Sequence, residues 1–292
     1  MESVDDLDDD ALTAFRARVL AYGRKLYRDL PWRRTRDPYG IWISEVMLQQ
    51  TQVSRVDGRW QRWLERFPSV DALAAAQTAD VLDEWQGMGY NRRALSLLRA
   101  AQQVSASGGA MPREEADLVA LPGIGPATAA GIRAFAFDLP GVYLETNVRT
   151  VFLHELYPDA MQVPDRELIP LVRATCPADA SRPGDDPRTW YYALLDYGAH
   201  LKRTVPNPSR RSRTHVRQSR FEGSHRQKRA MVVRSLLAHR GEGASVTDIA
   251  EELSAQELKA GREPVDVTTV LGILEELAAE GFCHQEGEHW QA

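Results

Sequence analysis

The sequence predicts an all-α protein that ends in a small subdomain of three helices and a β-hairpin. Apolar residues recur with the helical period of 3.6 over most of the first two hundred residues. None of those segments shows the sustained alternation of apolar and polar residues that a half-buried strand requires. Short glycine- and proline-containing links, such as 108–112, separate the periodic segments. The predicted helices in this part are 11–28, 42–64, 79–86, 92–103, 114–120, 127–136 and 189–201.

Size and composition indicate a folded protein of the cytoplasm. The chain has 292 residues, of which 43% are hydrophobic, enough for one large core or two modest ones. No apolar run approaches the ~20 residues that span a bilayer, so we expect no membrane contact. Residues 1–10 carry six acids and no base, which predicts an acidic tail and excludes a signal peptide. The two cysteines, Cys176 and Cys283, are too few for a four-thiolate metal site, and we expect no bound metal.

Basic residues concentrate in one stretch, although the chain as a whole carries a net charge of −5. Residues 202–229 contain ten lysines and arginines but a single acid, Glu222, together with Pro206 and Pro208. This composition predicts a loop or linker, and its charge favours a nucleic acid. Lysine supplies only four of the 36 basic residues, and a GC-rich genome is the simplest reason for the many arginines.

The segment 230–292 regains helical periodicity. Its predicted helices are 231–239, 245–253 and 267–280, and a short hairpin is expected within 281–290. Ser245 is placed to cap the second of these helices. Three helices followed by a hairpin resemble a winged helix-turn-helix, a DNA-binding module. The alternative is a small packing subdomain that does not contact DNA.

The motif Leu121-Pro122-Gly123-Ile124-Gly125-Pro126 lies between two predicted helices. Glycine permits a tight turn and the close approach of a backbone phosphate. The amide groups at the start of the second helix favour an anion. This motif is typical of a helix-hairpin-helix, which holds DNA by its backbone. The alternative is an ordinary corner between two helices.

Two acidic residues occur in settings that favour catalysis. Glu45 lies among Ile43, Val46 and Leu48, and a carboxyl group beside apolar side chains resists ionisation. It could therefore act as a general acid near neutral pH, or it could be an ordinary surface glutamate. Glu145 opens a polar Glu-Thr-Asn sequence and could simply cap a helix there. It could equally form the second member of a carboxylate pair, the usual means of breaking a glycosidic bond.

From Leu30 to about Leu201 the chain resembles the MutY/endonuclease III superfamily of DNA glycosylases, and its MutY branch most closely. The matching segments are LPWRRTRDPYGIWISEVMLQQTQV, GMGY, LPGIGPATAAGI and ETNVRTV, in the family's order and spacing. The resemblance implies two helical lobes within 11–201 and a target nucleotide that is flipped out of duplex DNA. It implies no membrane partner, a nucleoid-associated protein and, by default, a monomer.

The same resemblance assigns roles to individual residues. Glu45 would protonate the departing base, Glu145 would replace the family's catalytic aspartate, and Asn147 would help to hold the site. Gln50 and Tyr90 would wedge into the base stack beside the flipped nucleotide. The residues at base-pocket positions are Trp32, Arg33, Leu48 and Tyr192. The hairpin residues expected at the phosphate are Gly123, Ile124, Gly125 and Thr128, where the family sometimes holds a monovalent cation.

Several departures from the family limit this assignment. Ala127 stands where bifunctional relatives have a Schiff-base lysine, so we expect no lyase activity. Glu145 is one methylene longer than aspartate, which extends its reach by up to ~1.5 Å. Tyr192 stands where relatives have a glutamine or glutamate that recognises adenine. Residues 230–292 are too short for the family's Nudix-like C-terminal domain, which recognises 8-oxoguanine, so we expect that domain to be absent.

The four cysteines that hold the family's [4Fe–4S] cluster are absent from this sequence as well. Lys202, Arg203 and the arginine-rich stretch after them stand at their position, and we expect no cluster and no redox cofactor. We hypothesise that the basic segment, through Arg210, Arg211 and Arg213, takes over the cluster's part in DNA binding.

Together these features predict a monofunctional DNA glycosylase of base-excision repair. Mispaired adenine is the first choice of substrate, because the sequence around Glu45 is closest to the MutY branch. The alternatives are another lesion, such as a mispaired thymine or uracil or an altered purine, and a non-catalytic DNA-structure-binding protein derived from a glycosylase.

Overall fold

Helices form nearly all the regular structure of this computed structural model, which describes residues 9–180, 184–215 and 220–292. The all-α prediction is therefore confirmed. Most of the predicted acidic tail lies outside the described residues, and Asp9 and Asp10 begin the first helix. Among the described residues, none of the helices combines the length and apolarity that a membrane crossing requires.

In chain order the α-helices are α1 (Asp9–Leu26), α2 (Pro38–Leu48), α3 (Val53–Val56), α4 (Arg59–Arg66), α5 (Val70–Ala74), α6 (Thr78–Trp85), α7 (Arg92–Ala106), α8 (Glu115–Val119), α9 (Pro126–Phe137), α10 (Thr146–Glu155), α11 (Asp165–Thr175), α12 (Pro187–Thr204), α13 (His225–Ala238), α14 (Val246–Lys259) and α15 (Val267–Glu280). Two 3-10 helices cover Pro31–Arg33 and Pro208–Arg211. The strands are β1 (Ala244–Ser245), β2 (His284–Glu286) and β3 (His289–Gln291).

Two compact units divide the chain, and each combines two separate stretches of sequence. The first unit contains the described residues of Met1–Val46 and Met111–Arg217. The second contains Met47–Ala110 together with the described residues of Gln218–Ala292. The C-terminal segment, expected as a separate subdomain at 230–292, thus forms one unit with the segment that carries Gln50 and Tyr90.

Helix α12 lies at the centre of the first unit, where it packs against α1 and α10. It begins with Pro187 after Asp186, whose carboxylate accepts a hydrogen bond from the amide of Thr189 at 2.7 Å, so the helix has a normal N-cap. Trp190 is fully buried, and its ring meets Phe15 of α1 edge to face, with the ring centroids 6.0 Å apart. This packing fixes the position of α12, which contributes residues to the site described below.

The C-terminal segment has the element order of a winged helix. After α13, strand β1 leads into α14 and α15, and β2 and β3 form an antiparallel hairpin with β3 in the middle of the sheet. The Ser245 side chain accepts from the Asp248 amide at 3.1 Å, which caps α14 as the sequence predicts. The core of this segment includes Met231, Ile249 and Trp290.

Two boundaries differ from the sequence-based expectation. The helix predicted at 42–64 is broken into α2, α3 and α4, because the backbone takes left-handed φ values at Gln50 (52°) and Gly58 (79°). The predicted linker 202–229 is partly regular: α12 continues to Thr204, a 3-10 helix follows, and α13 starts at His225. Helix α11 was not predicted, since Pro170 inside it interrupts the helical pattern.

Candidate active site

The glycine motif forms the predicted hairpin between α8 and α9. Gly123 has φ +78°, a left-handed conformation that glycine adopts without strain. Ile124, also expected at the phosphate, is 4% exposed, and its side chain anchors the turn in the core. Gly123 and Gly125 are exposed, and α9 starts at Pro126 directly after them. The positive end of a twelve-residue helix thus lies at an open turn, where an anion is favoured.

Glu45 is buried near the end of α2, with 9% of its surface exposed. Its neighbours on the helix, including Ile43, Val46 and Met47, are almost fully buried. On the facing helix α9, a Cβ at position 131 would collide with Glu45 Oε2, and Gly131 therefore provides the space for the carboxyl group. The prediction of an acidic side chain in apolar surroundings matches this placement.

The environment of Glu45 keeps its carboxyl group protonated at neutral pH. Its pKa is raised from 4.5 to about 8, chiefly by burial and to a smaller extent by the nearby negative charge of Glu145. A hydrogen bond from Tyr143 and the positive charge of Arg33 act in the opposite direction, but they do not outweigh burial. A carboxyl group in this state can donate a proton at pH 7, as a general acid must.

Glu145 is the N-cap residue of α10. Its Oε1 accepts hydrogen bonds from the amides of Asn147 at 2.7 Å and Val148 at 3.3 Å. The capping role considered from the sequence is therefore present in the structure. The two amides hold the carboxylate in one position, and the helix N-terminus stabilises its negative charge. The cap does not exclude a catalytic role, because the same charge also acts on Glu45.

Tyr143 connects the two acidic residues, and the sequence analysis did not single it out. It is 7% exposed, and its hydroxyl group hydrogen-bonds Glu45. Burial raises its pKa most, and the charges of Glu45 and Glu145 raise it further. Its ring meets Phe135 edge to face at 5.3 Å between centroids. The structure therefore places Glu45, Tyr143 and Glu145 within electrostatic range of one another in the first unit. From the sequence, Tyr143 looked like one of three apolar residues before the Glu-Thr-Asn motif.

The predicted base-pocket residues Trp32, Arg33 and Tyr192 are all at least 92% buried. Two hydrogen bonds of 2.7 and 2.9 Å join the Arg33 guanidinium group to Asp196 on α12. The same guanidinium group lies 4.3 Å from the centre of the Tyr192 ring. Arg33 and Tyr192 also line a cavity of about 660 Å³. Asp196 fixes the arginine beside Glu45, although no sequence motif marks it as a site residue.

Helix α12 also supports α10, the helix that Glu145 caps, directly. A Cβ at Gly198 would collide with the Asn147 carbonyl group, so only glycine permits this close approach of the two helices. One turn further along, Lys202 is half-buried, and burial lowers its pKa, whereas the charge of Glu145 raises it. Asn147 itself contributes its backbone amide to Glu145. Helix α12 therefore supports α10 and, with it, the position of Glu145.

The fourth predicted base-pocket residue, Leu48, belongs to the second unit, as do Gln50 and Tyr90, the residues expected to enter the base stack. Gln50 and Tyr90 are both left-handed, with φ values of 52° and 51°, an uncommon conformation for residues other than glycine. Arg93 joins their two loops: it donates to the carbonyl groups of Gln49 at 2.6 Å and Gly89 at 3.0 Å. One guanidinium group therefore orders both of the segments expected to enter DNA.

The basic segment differs from the expectation at Arg211. Its guanidinium group donates to the carbonyl groups of Leu153 at 2.8 Å and Tyr157 at 2.6 Å, and also to that of Pro158. This places it at the C-terminal end of α10, where a cation is stabilised. Arg211 is therefore occupied within the protein, which corrects its expected place at DNA, whereas Arg210 and Arg213 are exposed.

The residues present do not fit an iron–sulfur cluster. Such a cluster needs four thiolates, and the two cysteines of the chain, Cys176 and Cys283, lie in different units. Where the resemblance places the cluster, the backbone of residues 211–213 pairs instead with Val163 through two hydrogen bonds of 3.0 Å. This pairing and the Arg211 contacts attach the segment to the first unit.

The raised pKa of Glu45 predicts a specific dependence of stability on pH. Between about pH 4.5 and pH 8 the unfolded chain loses a proton that folded Glu45 retains, so the free energy of unfolding falls as pH rises. In Glu45→Gln this contribution is absent, and the variant should gain on the order of a few kcal/mol relative to the wild type between pH 4 and pH 9. Urea unfolding of both proteins across this range measures the difference. If the free energies of unfolding of the wild type and Glu45→Gln changed in parallel with pH, a buried, protonated Glu45 would be contradicted.

The fold and this pair of acidic residues define a class of protein, and comparison with known families gives the same class. Residues 43–204 match the family described as HhH-GPD superfamily base excision DNA repair protein. The match covers more than half of the chain, and the chain belongs to this family. The predicted helix-hairpin-helix glycosylase fold is confirmed.

Individual relatives are adenine DNA glycosylases. The chain is 38% identical to that of Mycolicibacterium smegmatis over 174 residues, which cover 59% of this chain and 58% of the relative. It is 41% identical to that of Mycobacterium tuberculosis (strain H37Rv) over 135 residues, 46% of this chain and 44% of the relative. The chain thus spans about half the length of these relatives.

Solved structures show the same fold at lower identity. A thermostable thymine-DNA glycosylase aligns with a TM-score of 0.56 and 22% identity, covering 74% of this chain and 94% of that one. A non-covalent endonuclease III–DNA complex aligns with a TM-score of 0.51 and 16% identity, covering 76% of this chain and 94% of that one.

Proposed function

We propose that this protein is a monofunctional DNA glycosylase of base-excision repair that removes mispaired adenine from duplex DNA. The observation that carries the proposal is the buried carboxyl group of Glu45, protonated at neutral pH, within electrostatic range of the helix-capping carboxylate Glu145. Family membership and the adenine DNA glycosylases among its relatives support the same reaction.

The two acidic residues would divide the reaction between them. Glu45 donates its proton to the departing base as the C1′–N bond breaks, which leaves the base neutral. Positive charge then develops on the sugar, and the fixed carboxylate of Glu145 stabilises it. Water adds its hydroxide to C1′ and gives up a proton, which replaces the one that Glu45 donated, so that the products are a free base and an abasic site. Because Ala127 has no amine, no covalent link to C1′ forms at that position.

DNA would be held by its backbone and by a flipped nucleotide. The hairpin at Gly123 and Gly125 offers a helix N-terminus to a phosphate, and a monovalent cation could share this turn. Gln50 and Tyr90 would fill the gap in the base stack, and Arg33 and Tyr192 would line the base pocket. Neither redox chemistry nor an iron–sulfur cluster enters the reaction.

A panel of duplexes tests the substrate. Each duplex carries a single modified or mispaired base: adenine opposite guanine or 8-oxoguanine, thymine or uracil opposite guanine, or an altered purine. In the adenine duplexes we expect strand cleavage after alkali treatment. Without alkali we expect no cleavage, since a monofunctional enzyme leaves the strand intact. Release of a different base would identify that base, and not adenine, as the substrate. Binding without release of any base would favour the non-catalytic alternative.

The exposed arginines of the basic segment give a second prediction. In the double variant Arg210→Ala/Arg213→Ala, the affinity for duplex DNA should fall and the salt slope should decrease by about 2, one for each lost phosphate contact. Arg211→Ala should instead lower the free energy of unfolding, because it leaves carbonyl groups at the end of α10 without their donor. Filter binding from 50 to 200 mM salt measures the first effect, with Lys259→Ala as a control. Equal slopes in all variants would rule out this DNA contact.

A further inference from the structure

Five side chains of the second unit form a stack in which aromatic rings and guanidinium groups alternate. Arg93 lies 5.2 Å from the Trp85 ring centre on one side and 5.6 Å from the Tyr90 ring centre on the other. Arg226 then lies 5.1 Å from the Tyr90 ring centre and 5.3 Å from that of Phe221. All these distances are within the range of cation–π attraction. Two guanidinium groups thus contact Tyr90, and one of them, Arg226, lies on α13, the helix that begins the C-terminal segment.

Arg226 makes a second, directional contact with the same residue. Its Nη1 donates a hydrogen bond to the Tyr90 hydroxyl group at 2.8 Å. The Tyr90 backbone is left-handed, with φ 51°, and lies directly after Gly89 at φ 72°. A tyrosine in the left-handed region is strained, and this conformation persists only where its surroundings hold it. Arg226 is one of the groups that do so.

The helix that carries Arg226 is itself attached firmly to the segment 47–110. At its far end, Arg240 donates to Asp80 at 2.8 Å and to Gln77 at 2.9 Å. Nearer to Arg226, Arg229 and Arg92 both bind the carboxylate of Glu280 on α15, at 2.9 and 2.7 Å. These contacts fix α13 against α6 and α7, and thereby fix the guanidinium group of Arg226.

The charge of the C-terminal segment argues against its own recognition of DNA. Residues 241–292 contain twelve acidic and two basic residues. Helix α15, which corresponds to the recognition helix of a winged helix, carries Glu275, Glu276 and Glu280 and no basic residue. Such a surface repels the phosphate backbone. Direct contact of residues 241–292 with DNA is therefore disfavoured, whereas Arg226 on α13 offers an indirect contribution through its contact with Tyr90.

We propose that Arg226 is a positioning residue for Tyr90, and that the C-terminal segment serves in nucleotide flipping by holding this tyrosine in its left-handed conformation. The inference rests on the proposed function, in which Tyr90 enters the base stack. It gives the acidic winged-helix segment a role that does not require direct contact with DNA.

The first test uses the free full-length protein and needs neither DNA nor catalysis. Arg226→Ala should increase amide hydrogen exchange at residues 87–91 at least about tenfold, since the loop loses one of its anchors. Arg234→Ala, which removes an exposed arginine from the same helix, is the control and should leave exchange there unchanged. Equal exchange in the two variants would overturn the positioning role.

The second test measures flipping with base release blocked by Glu45→Gln. The probe is a duplex with an adenine·guanine mismatch and 2-aminopurine beside the adenine. Arg226→Ala should reduce the rise in 2-aminopurine fluorescence about tenfold, and Arg226→Lys should restore part of it, because a lysine keeps the charge but not the planar stack. Arg226→Ala should also reduce the fluorescence rise by a smaller factor in a Tyr90→Phe background, where the hydroxyl acceptor is already gone.

The outcomes separate this proposal from the proposed function. Full flipping in Arg226→Ala, or equal losses in the tyrosine and phenylalanine backgrounds, would overturn the positioning role. Flipping that depends on Arg226 in a protein that releases no base from any duplex would support the positioning role and reject the glycosylase. If no duplex is bound, the hydrogen-exchange result alone decides whether Arg226 holds Tyr90.

Discussion

Replacing Glu45 by glutamine is expected to lower the rate of base release by about 10²–10⁴-fold, the usual contribution of a general acid. Glutamine fills the same space beside Gly131, but it has no proton to give to the departing base. Since the pocket keeps its shape, the affinity for the duplex should remain close to that of the wild type. Single-turnover rates on the best duplex of the panel, together with binding measurements, check both parts.

The control is Glu114→Gln, which neutralises an exposed glutamate before α8 and should leave the rate unchanged. The wild-type rate should also fall above about pH 8, as the carboxyl group of Glu45 loses its proton. A fully active Glu45→Gln protein would refute this mechanism.

The second large effect is expected at Glu145, and here the design must separate catalysis from helix capping. Asparagine is among the best N-cap residues but carries no charge. Glu145→Asn should therefore keep the free energy of unfolding within about 1 kcal/mol of the wild type, yet reduce base release by about 10²–10³-fold, as loss of an electrostatic stabiliser does. Thermal unfolding and single-turnover assays of the same protein sample measure the two effects.

Glu145→Ala completes this comparison. It removes both the charge and the cap, so it should lose the same activity and, in addition, about 1 kcal/mol of stability. If Glu145 is only a cap, Glu145→Asn will be active and Glu145→Ala will be impaired only in proportion to its lower stability.

Part of the site could be predicted from the sequence because its signals are local. The hairpin depends on two glycines between two helical segments, and the burial of Glu45 follows from the apolar residues on either side of it. The N-cap at Glu145 depends on amides two and three residues along the chain. Each of these features requires only a few consecutive residues, and the structure contains each of them.

Other features arise from residues far apart in the chain. Tyr143 meets Glu45, and Asp196 pairs with Arg33 across 163 residues of sequence, because the fold of the first unit brings these segments together. Arg211 was expected to contact DNA on account of its charge, yet it binds backbone carbonyl groups more than fifty residues away. Charge alone does not reveal which cations already have partners within the fold.

The sequence by itself therefore determined the helical class, the hairpin, the two acidic residues and the absence of cysteines for a cluster, since each follows from residue type and near-neighbour spacing. Only the tertiary structure decided that the C-terminal segment joins residues 47–110 in one unit and places Arg226 against Tyr90. It also decided that burial keeps Glu45 protonated, because the desolvation of a carboxyl group depends on all the atoms that surround it.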